Sequence, residues 1–262
     1  MRSLKIRIKI DFATTPHTRE LDKPNEDRLV CDEERGIFIV LDGVTRVHKE
    51  YEKAPFESAA RDVGDIFIKE VYAYICEHIS DPEPKEILMC AVDRANSLIR
   101  DYRSKRSKEE WGFYPSTLGI ISILRDGRLY YLCVGDSIGV LLREDSKILF
   151  GREFVLEAVD LLDISKKERY DLYCNHPNNH LSYTVFNGDE VVMRGVQYSF
   201  IDLYEGDTLF LATDGIGSYL KYEKSADLKE QSAEEIISRS GEYDRPPYAN
   251  YADDKTLIKI TF

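Results

Sequence analysis

Basic residues are outnumbered by acidic ones in this chain. Lysine and arginine total 36 against 48 aspartates and glutamates over 262 residues, a formal net charge of -12. Such a surface argues against non-specific binding to nucleic acid or to an anionic membrane. Long hydrophobic runs are missing too. No stretch approaches the ~20 apolar residues of a membrane span. The opening Met1-Arg2-Ser3-Leu4-Lys5-Ile6 has no apolar core of signal-peptide length. The expectation is a soluble, cytoplasmic protein with neither a membrane nor a nucleic acid as partner. Cysteine is sparse: Cys31, Cys76, Cys90, Cys133 and Cys174 are odd in number, widely spaced and form no CxxC. They read as small buried hydrophobes in a reducing compartment rather than as disulfides or a zinc site.

What is present suffices for a folded core. The chain is 43% hydrophobic, too much for disorder. There is no internal repeat, low-complexity tract or clear linker, so residues 1–262 are expected to form one domain.

Leu4 to Ile10 alternate apolar and basic residues, the period of a half-buried strand. Residues 13–27 read as a polar loop. Arg28 to Cys31 and Ile37 to Leu41 are further strands, the second apolar throughout and therefore covered on both faces. Val63, Phe67, Val71, Ile75 and Ile79 repeat every four residues, the stripe of a long helix. Ser80 to Pro84 break it, and a second helix carries Leu88, Ala91, Ala95 and Leu98 on one face. Strands follow at 117–124, 129–134, 138–142, 198–203, 208–212 and 256–260, with short helices near 167–172 and 233–237. The segment 152–197 is otherwise hard to read. Strands grouped around two consecutive helices suggest a layered α+β fold rather than a doubly wound sheet.

The acidic residues sit in a pattern. Asp42-Gly43 and Asp214-Gly215 each follow an apolar strand, Asp136 follows a third, and Glu26-Asp27 and Asp253-Asp254 each precede one. Five such sites at strand ends can converge at one edge of a sheet system. Clustered carboxylates repel one another, and hard divalent cations with oxygen ligands resolve that conflict. Glycine after Asp42 and Asp214 is expected to let the backbone turn sharply.

The order of these segments resembles the type-2C (PPM) metal-dependent serine/threonine protein phosphatases. The matching stretches are Asn25-Glu26-Asp27-Arg28, Val40-Leu41-Asp42-Gly43-Val44, Ser116-Thr117-Leu118, Val134-Gly135-Asp136-Ser137, Leu211-Ala212-Thr213-Asp214-Gly215-Ile216 and Asp253-Asp254-Lys255-Thr256. They run in family order over almost the whole chain. The resemblance implies a four-layer α-β-β-α sandwich, two antiparallel sheets flanked by helix pairs. It implies two divalent cations, manganese or magnesium. Asp42 would bridge them, Asp214 and Asp253 would complete one site, and Glu26 with the Gly43 carbonyl the other. Asp136 with Asp214 would hold a weaker third cation, and Asp27 would orient water. The implied reaction is direct attack of a metal-bridging hydroxide on a phosphoserine or phosphothreonine of a protein substrate, opposing a serine/threonine kinase. The absence of a Cys-x5-Arg loop argues against a cysteine nucleophile.

The chain departs from that pattern in places. Where the family has a phosphate-gripping arginine, three residues before Asn25, this chain has Asp22. Lys23, Arg19 or Arg46 would then take the phosphate, and His48 would protonate the leaving oxygen. Ile138 stands where arginine follows Gly-Asp-Ser, and Asp254 where asparagine is usual. Two other readings stay open: a degenerate fold that binds phosphoproteins without turnover, and a hydrolase of small phosphate esters. His176 and His180 are separated by Pro177, which spoils helical metal-ligand spacing.

Overall fold

The structure is a computed structural model that describes residues 8–16, 24–44, 58–105, 114–151, 155–176, 178–243 and 253–262. Its strands are β1 (Lys9–Thr15), β2 (Arg28–Asp32), β3 (Ile37–Val44), β4 (Ser116–Arg125), β5 (Arg128–Val134), β6 (Ile138–Arg143), β7 (Ser146–Phe150), β8 (Gln197–Asp202), β9 (Thr208–Ala212) and β10 (Lys255–Thr261). Its helices are α1 (Ala59–His78), α2 (Pro84–Ser104), α3 (Val155–Asp160), α4 (Lys166–Tyr173), α5 (Gly217–Tyr222), α6 (Ser225–Glu230) and α7 (Ala233–Ser240). One sheet runs β1-β10-β9-β6-β7 and the other β2-β3-β4-β5-β8. The pairings are antiparallel throughout.

Strand alternation sorts the apolar residues into three layers of core. On β3, Ile37, Ile39 and Leu41 point to α1 and α2, where they meet Val63, Phe67, Val71, Leu88 and Ala91. Phe38 and Val40 point the other way and pack between the sheets with Ile120, Leu141, Leu209, Leu211 and Ile258. Beyond the first sheet, Val140, Phe210, Ala212 and Leu257 bury Tyr219, Leu220, Leu228 and Ile236 of α5–α7. Three apolar interfaces between four layers make the expected α-β-β-α sandwich. No helix among the described residues is long and apolar enough to cross a membrane.

Helix ends are closed by specific groups. Ser58 caps α1 by accepting the Arg61 N–H, and Pro84 opens α2 at the first turn. Two lysines, Lys147 half-buried and Lys259 buried, close short helices from the adjoining sheet. Lys147 Nζ donates to the carbonyls of Leu220 and Glu223 at the end of α5. Lys259 Nζ donates to those of Leu228, Lys229 and Gln231 at the end of α6. Burial holds both ammonium groups below the usual lysine value. At the sheet ends remote from Asp42, Arg143 of β6 pairs with buried Asp207 at 2.7 Å and donates to the Asp202 carbonyl of the other sheet.

Some sequence expectations shift. The first strand lies at Lys9–Thr15, so residues 13–15 are strand and not loop: Thr14 and Thr15 pair with Thr256 and Lys255. Residues 1–7 lie outside the described residues. On α2, Leu98 is exposed and Ile99 takes the buried position, because Leu88, Ala91, Val92, Ala95 and Ile99 follow the mixed three-and-four spacing of one helix face. Strand β7 and helices α3, α5 and α6 carry too little periodicity to be read from sequence.

The segment after β7 is fastened to α2. Asn96 accepts the Gly188 N–H and donates to the Asp189 carbonyl, both at 2.9 Å. Arg100 donates to the Gly188 carbonyl, and Arg103 to the Asn187 carbonyl and the Asp189 carboxylate. Just before these residues, Phe186 and Thr117 exchange both backbone hydrogen bonds, which hooks this segment to the start of β4.

Candidate metal centre

Sheet register explains why the acidic residues meet. In one sheet Arg28 lies opposite Leu41, Asp42 opposite Leu118 and Gly119 opposite Val134. The residues just before β2, at the end of β3 and just after β5 therefore share one edge. In the other sheet Ala212 of β9 lies opposite both Ile138 and Leu257. That places Asp136, Asp214 and Asp253 at the matching edge. Packing the two sheets face to face brings both edges to one end of the sandwich.

The carboxylates of Asp42, Asp136 and Asp214 each present an oxygen within 4.8 Å of the others. Asp42 is buried, and Asp136 and Asp214 are half-buried. Burial raises the Asp42 carboxyl well above the ordinary carboxylate value, and the charges of Asp214, Asp27, Asp253 and Asp136 raise it further. Asp27 is raised for the same first reason and then by Asp254, against lowering hydrogen bonds from Thr213 and Thr256. Like charges gathered in a low-dielectric pocket are costly in themselves.

Hydroxyls and amides hold these carboxylates in place. Thr213 donates its hydroxyl to Asp27 Oδ2 at 2.8 Å and accepts the Thr256 N–H at 3.0 Å. Thr117 donates to the Asp42 carbonyl at 2.8 Å. The Glu26 N–H donates to Asp254 Oδ2, and the Asp254 N–H to Asp253 Oδ1, both at 2.8 Å. Ser58 donates its hydroxyl to Glu26 Oε1. Asp27 Oδ1 is buried with no hydrogen-bond donor among the described residues.

The glycines act differently from expectation. Neither Gly43 nor Gly215 has a positive φ, and Asp42-Gly43 lies inside β3 rather than in a turn. Both are needed for close approach. A Cβ on Gly43 would sit 2.6 Å from Glu26 Cβ, and one on Gly215 would sit 2.2 Å from the Asp254 carbonyl. They let the Glu26 and Asp254 segments press against the strand ends that carry Asp42 and Asp214.

Of the residues singled out from sequence, Asp42, Asp136 and Asp214 come together. Asp253 acts electrostatically on Asp42, and Glu26 packs against Gly43. Arg19, Lys23, Arg46 and His48 lie outside the described residues. His176 and His180 form no metal cluster among the described residues, and the His176 ring nitrogen Nε2 lies 2.8 Å from the Asp171 carbonyl. Arg28, next to the acidic pair, bonds the Asn25 and Asp27 carbonyls and pairs with Asp65. Sequence reasoning gave no role to Thr117 or Thr213, although both lie in the matched segments. Sequence reasoning did not single out Ser58 either.

The donor set fits divalent cations. All the converging groups are carboxylate oxygens, the ligands that hard ions such as magnesium and manganese take. The raised Asp42 and Asp27 carboxyls mark a pocket that needs positive charge.

No protein-family model matches the chain, and no curated protein sequence matches it either. Solved structures do. The fold is that of the PPM-type serine/threonine phosphatases. The chain is similar to the Mycobacterium tuberculosis serine/threonine phosphatase PstP/Ppp, with 20% identity, 97% of this chain and 98% of that one covered, and a TM-score of 0.63. The PstP catalytic domain in complex with 2 manganese ions gives 19% identity, 97% coverage of both chains and a TM-score of 0.63. PppA of Pseudomonas aeruginosa, a regulatory component of its T6SS, gives 15% identity, 97% coverage of both and a TM-score of 0.65. At these identities the likeness is one of fold.

Proposed function

We propose that the chain is a metal-dependent phosphatase acting on phosphoserine or phosphothreonine in proteins, and that it works as a single catalytic domain. The observation that carries this reading is the meeting of Asp42, Asp136 and Asp214 within 4.8 Å at the sheet edge. Asp42 would hold two cations. Asp214 and Asp253 would complete one site, Glu26 and the Gly43 carbonyl the other, and Asp136 a weaker third. Divalent cations there would supply charge neutralisation for the phosphate and an acidified water as nucleophile.

The chain's own groups would orient that water. Asp27 Oδ2 is occupied by Thr213, so its Oδ1 would be the atom to accept a proton from water. Thr117 fixes the Asp42 backbone and therefore the direction of its carboxylate. Arg28 is engaged with backbone carbonyls and Asp65, which leaves phosphate recognition to Lys23, Arg19 or Arg46, with His48 as proton donor to the leaving oxygen. A serine/threonine kinase would supply the substrate.

Hydrolysis of an aryl phosphate and of a phosphothreonine peptide, with and without added Mn2+, tests the reading. Turnover is expected with the ion and is lost in chelator and in Asp214→Asn. Turnover that survives exhaustive chelation would sink it. The second reading, a phosphoprotein binder, is favoured by Asp22 at the family's arginine position. Tight Mn2+ binding with no turnover on either substrate would select it.

A further inference from the structure

The Ser58 hydroxyl has two partners that belong to different parts of the molecule. It accepts the Arg61 N–H at 3.1 Å, which starts α1. It also donates to Glu26 Oε1, 32 residues away in sequence. Both side chains are buried, Ser58 at 2% and Glu26 at 1% exposure. A hydroxyl has a single proton, so while it caps the helix as acceptor its donor capacity is committed to Glu26. The same helix takes a second hold on this segment. Arg28 pairs with Asp65 of α1 and bonds the Asn25 and Asp27 carbonyls on either side of Glu26.

We infer that Ser58 is a positioning residue for Glu26, coupling cation binding at the carboxylate cluster to the first turn of helix α1. Oε1 turned toward Ser58 fixes the rotation of the carboxylate, so that Oε2 is the oxygen a cation would meet. A carboxylate held this way enters coordination without first losing rotational freedom. The coupling is reciprocal: an ion that fixes Glu26 also fixes the group capping α1. The inference rests on the reading of Glu26 as a cation-facing residue.

Glycine is nearly as good an N-cap as serine but has no hydroxyl, whereas threonine keeps both functions. The test therefore measures Mn2+ binding by titration calorimetry, and unfolding in chelator, for the full chain and for Ser58→Gly and Ser58→Thr. Ser58→Gly keeps the cap but leaves buried Glu26 Oε1 without its donor, so it is expected to melt below the parent in chelator and to bind Mn2+ about tenfold more weakly, the weight of one charge-assisted hydrogen bond. Ser58→Thr is expected to restore binding to within about twofold of the parent, since it returns that bond. Saturating Mn2+ should also slow amide exchange at Arg61 in the parent and not in Ser58→Gly. Equal Mn2+ affinity for parent and Ser58→Gly would overturn the inference and leave the proposed function standing. A parent chain that binds no Mn2+ would overturn both.

Discussion

Replacing Asp42 with asparagine should stabilise the metal-free protein and destabilise it relative to the parent once Mn2+ is added. Asp42 shares its pocket with Asp136 and Asp214 at no more than 4.8 Å between chosen oxygens. At an effective dielectric near 20, one such pair of full charges costs roughly 3.5 kcal/mol. Proton uptake by the raised carboxyls absorbs much of this, so relief on the order of 1–2 kcal/mol is expected near neutral pH. For a chain of this size that is a rise of about 2–8 °C in melting temperature. Mn2+ at a hundredfold excess over its dissociation constant adds about 2.7 kcal/mol to the parent and much less to Asp42→Asn, so the order of stability reverses.

The pH dependence has a definite sign. The folded-state pKa of Asp42 lies above its ordinary 3.8, so the folded chain holds the proton more tightly than the unfolded one. Its favourable contribution is complete below 3.8 and is lost as pH rises through the folded value. The advantage of Asp42→Asn in chelator should therefore grow with pH above the carboxylate range. Differential scanning fluorimetry in chelator and in Mn2+, across pH, measures all three quantities. The reasoning fails if Asp42→Asn is the less stable protein in both conditions, or if Mn2+ raises both melting temperatures equally.

Asn96→Ala should cost about 1–3 kcal/mol, because it strips the Gly188 N–H and the Asp189 carbonyl of their partner. Limited proteolysis should then cut first within 155–196; an unchanged cleavage pattern would count against the α2 fastening. Lys259→Met should also cost about 1–3 kcal/mol, since three carbonyls at the end of α6 lose their donor. Because burial lowers the folded pKa of Lys259 below 10.5, the unfolded chain binds more protons in between. The gap between parent and Lys259→Met in urea titrations should widen as pH rises toward 10.5; a narrowing gap would refute the burial argument.

Long periodic elements were legible in the sequence, and short ones were not. The all-apolar run Ile37 to Leu41 could only be a strand covered on both faces, and both faces are covered, by α1–α2 and by the second sheet. The four-residue stripe from Val63 to Ile75 is the buried face of α1. β7 could not be read because Ile148 and Leu149 are both exposed on an edge strand, which erases the alternation. The aspartates were legible as a group because each flanks a strong strand. The groups that hold them were not. Ser58 lies 32 residues from Glu26, and Thr213 lies 186 residues from Asp27; nothing local marks either pairing. The glycines were assigned to the right places for the wrong reason: periodicity shows where a strand ends, but only packing shows that Glu26 and Asp254 press on Gly43 and Gly215.

The two ends of the sandwich are closed by opposite kinds of chemistry. At one end Arg143 stitches the sheets together through Asp207 and the Asp202 carbonyl, a complete pairing of positive with negative. At the other end both sheets bring negative groups to the seam, Asp42 from one and Asp214 from the other. An ion seated there would act as a clasp, and its departure would leave a seam that parts from one side only. Unfolding in the absence of cations would then start at that rim and travel toward Arg143, with the stitched end the last to open.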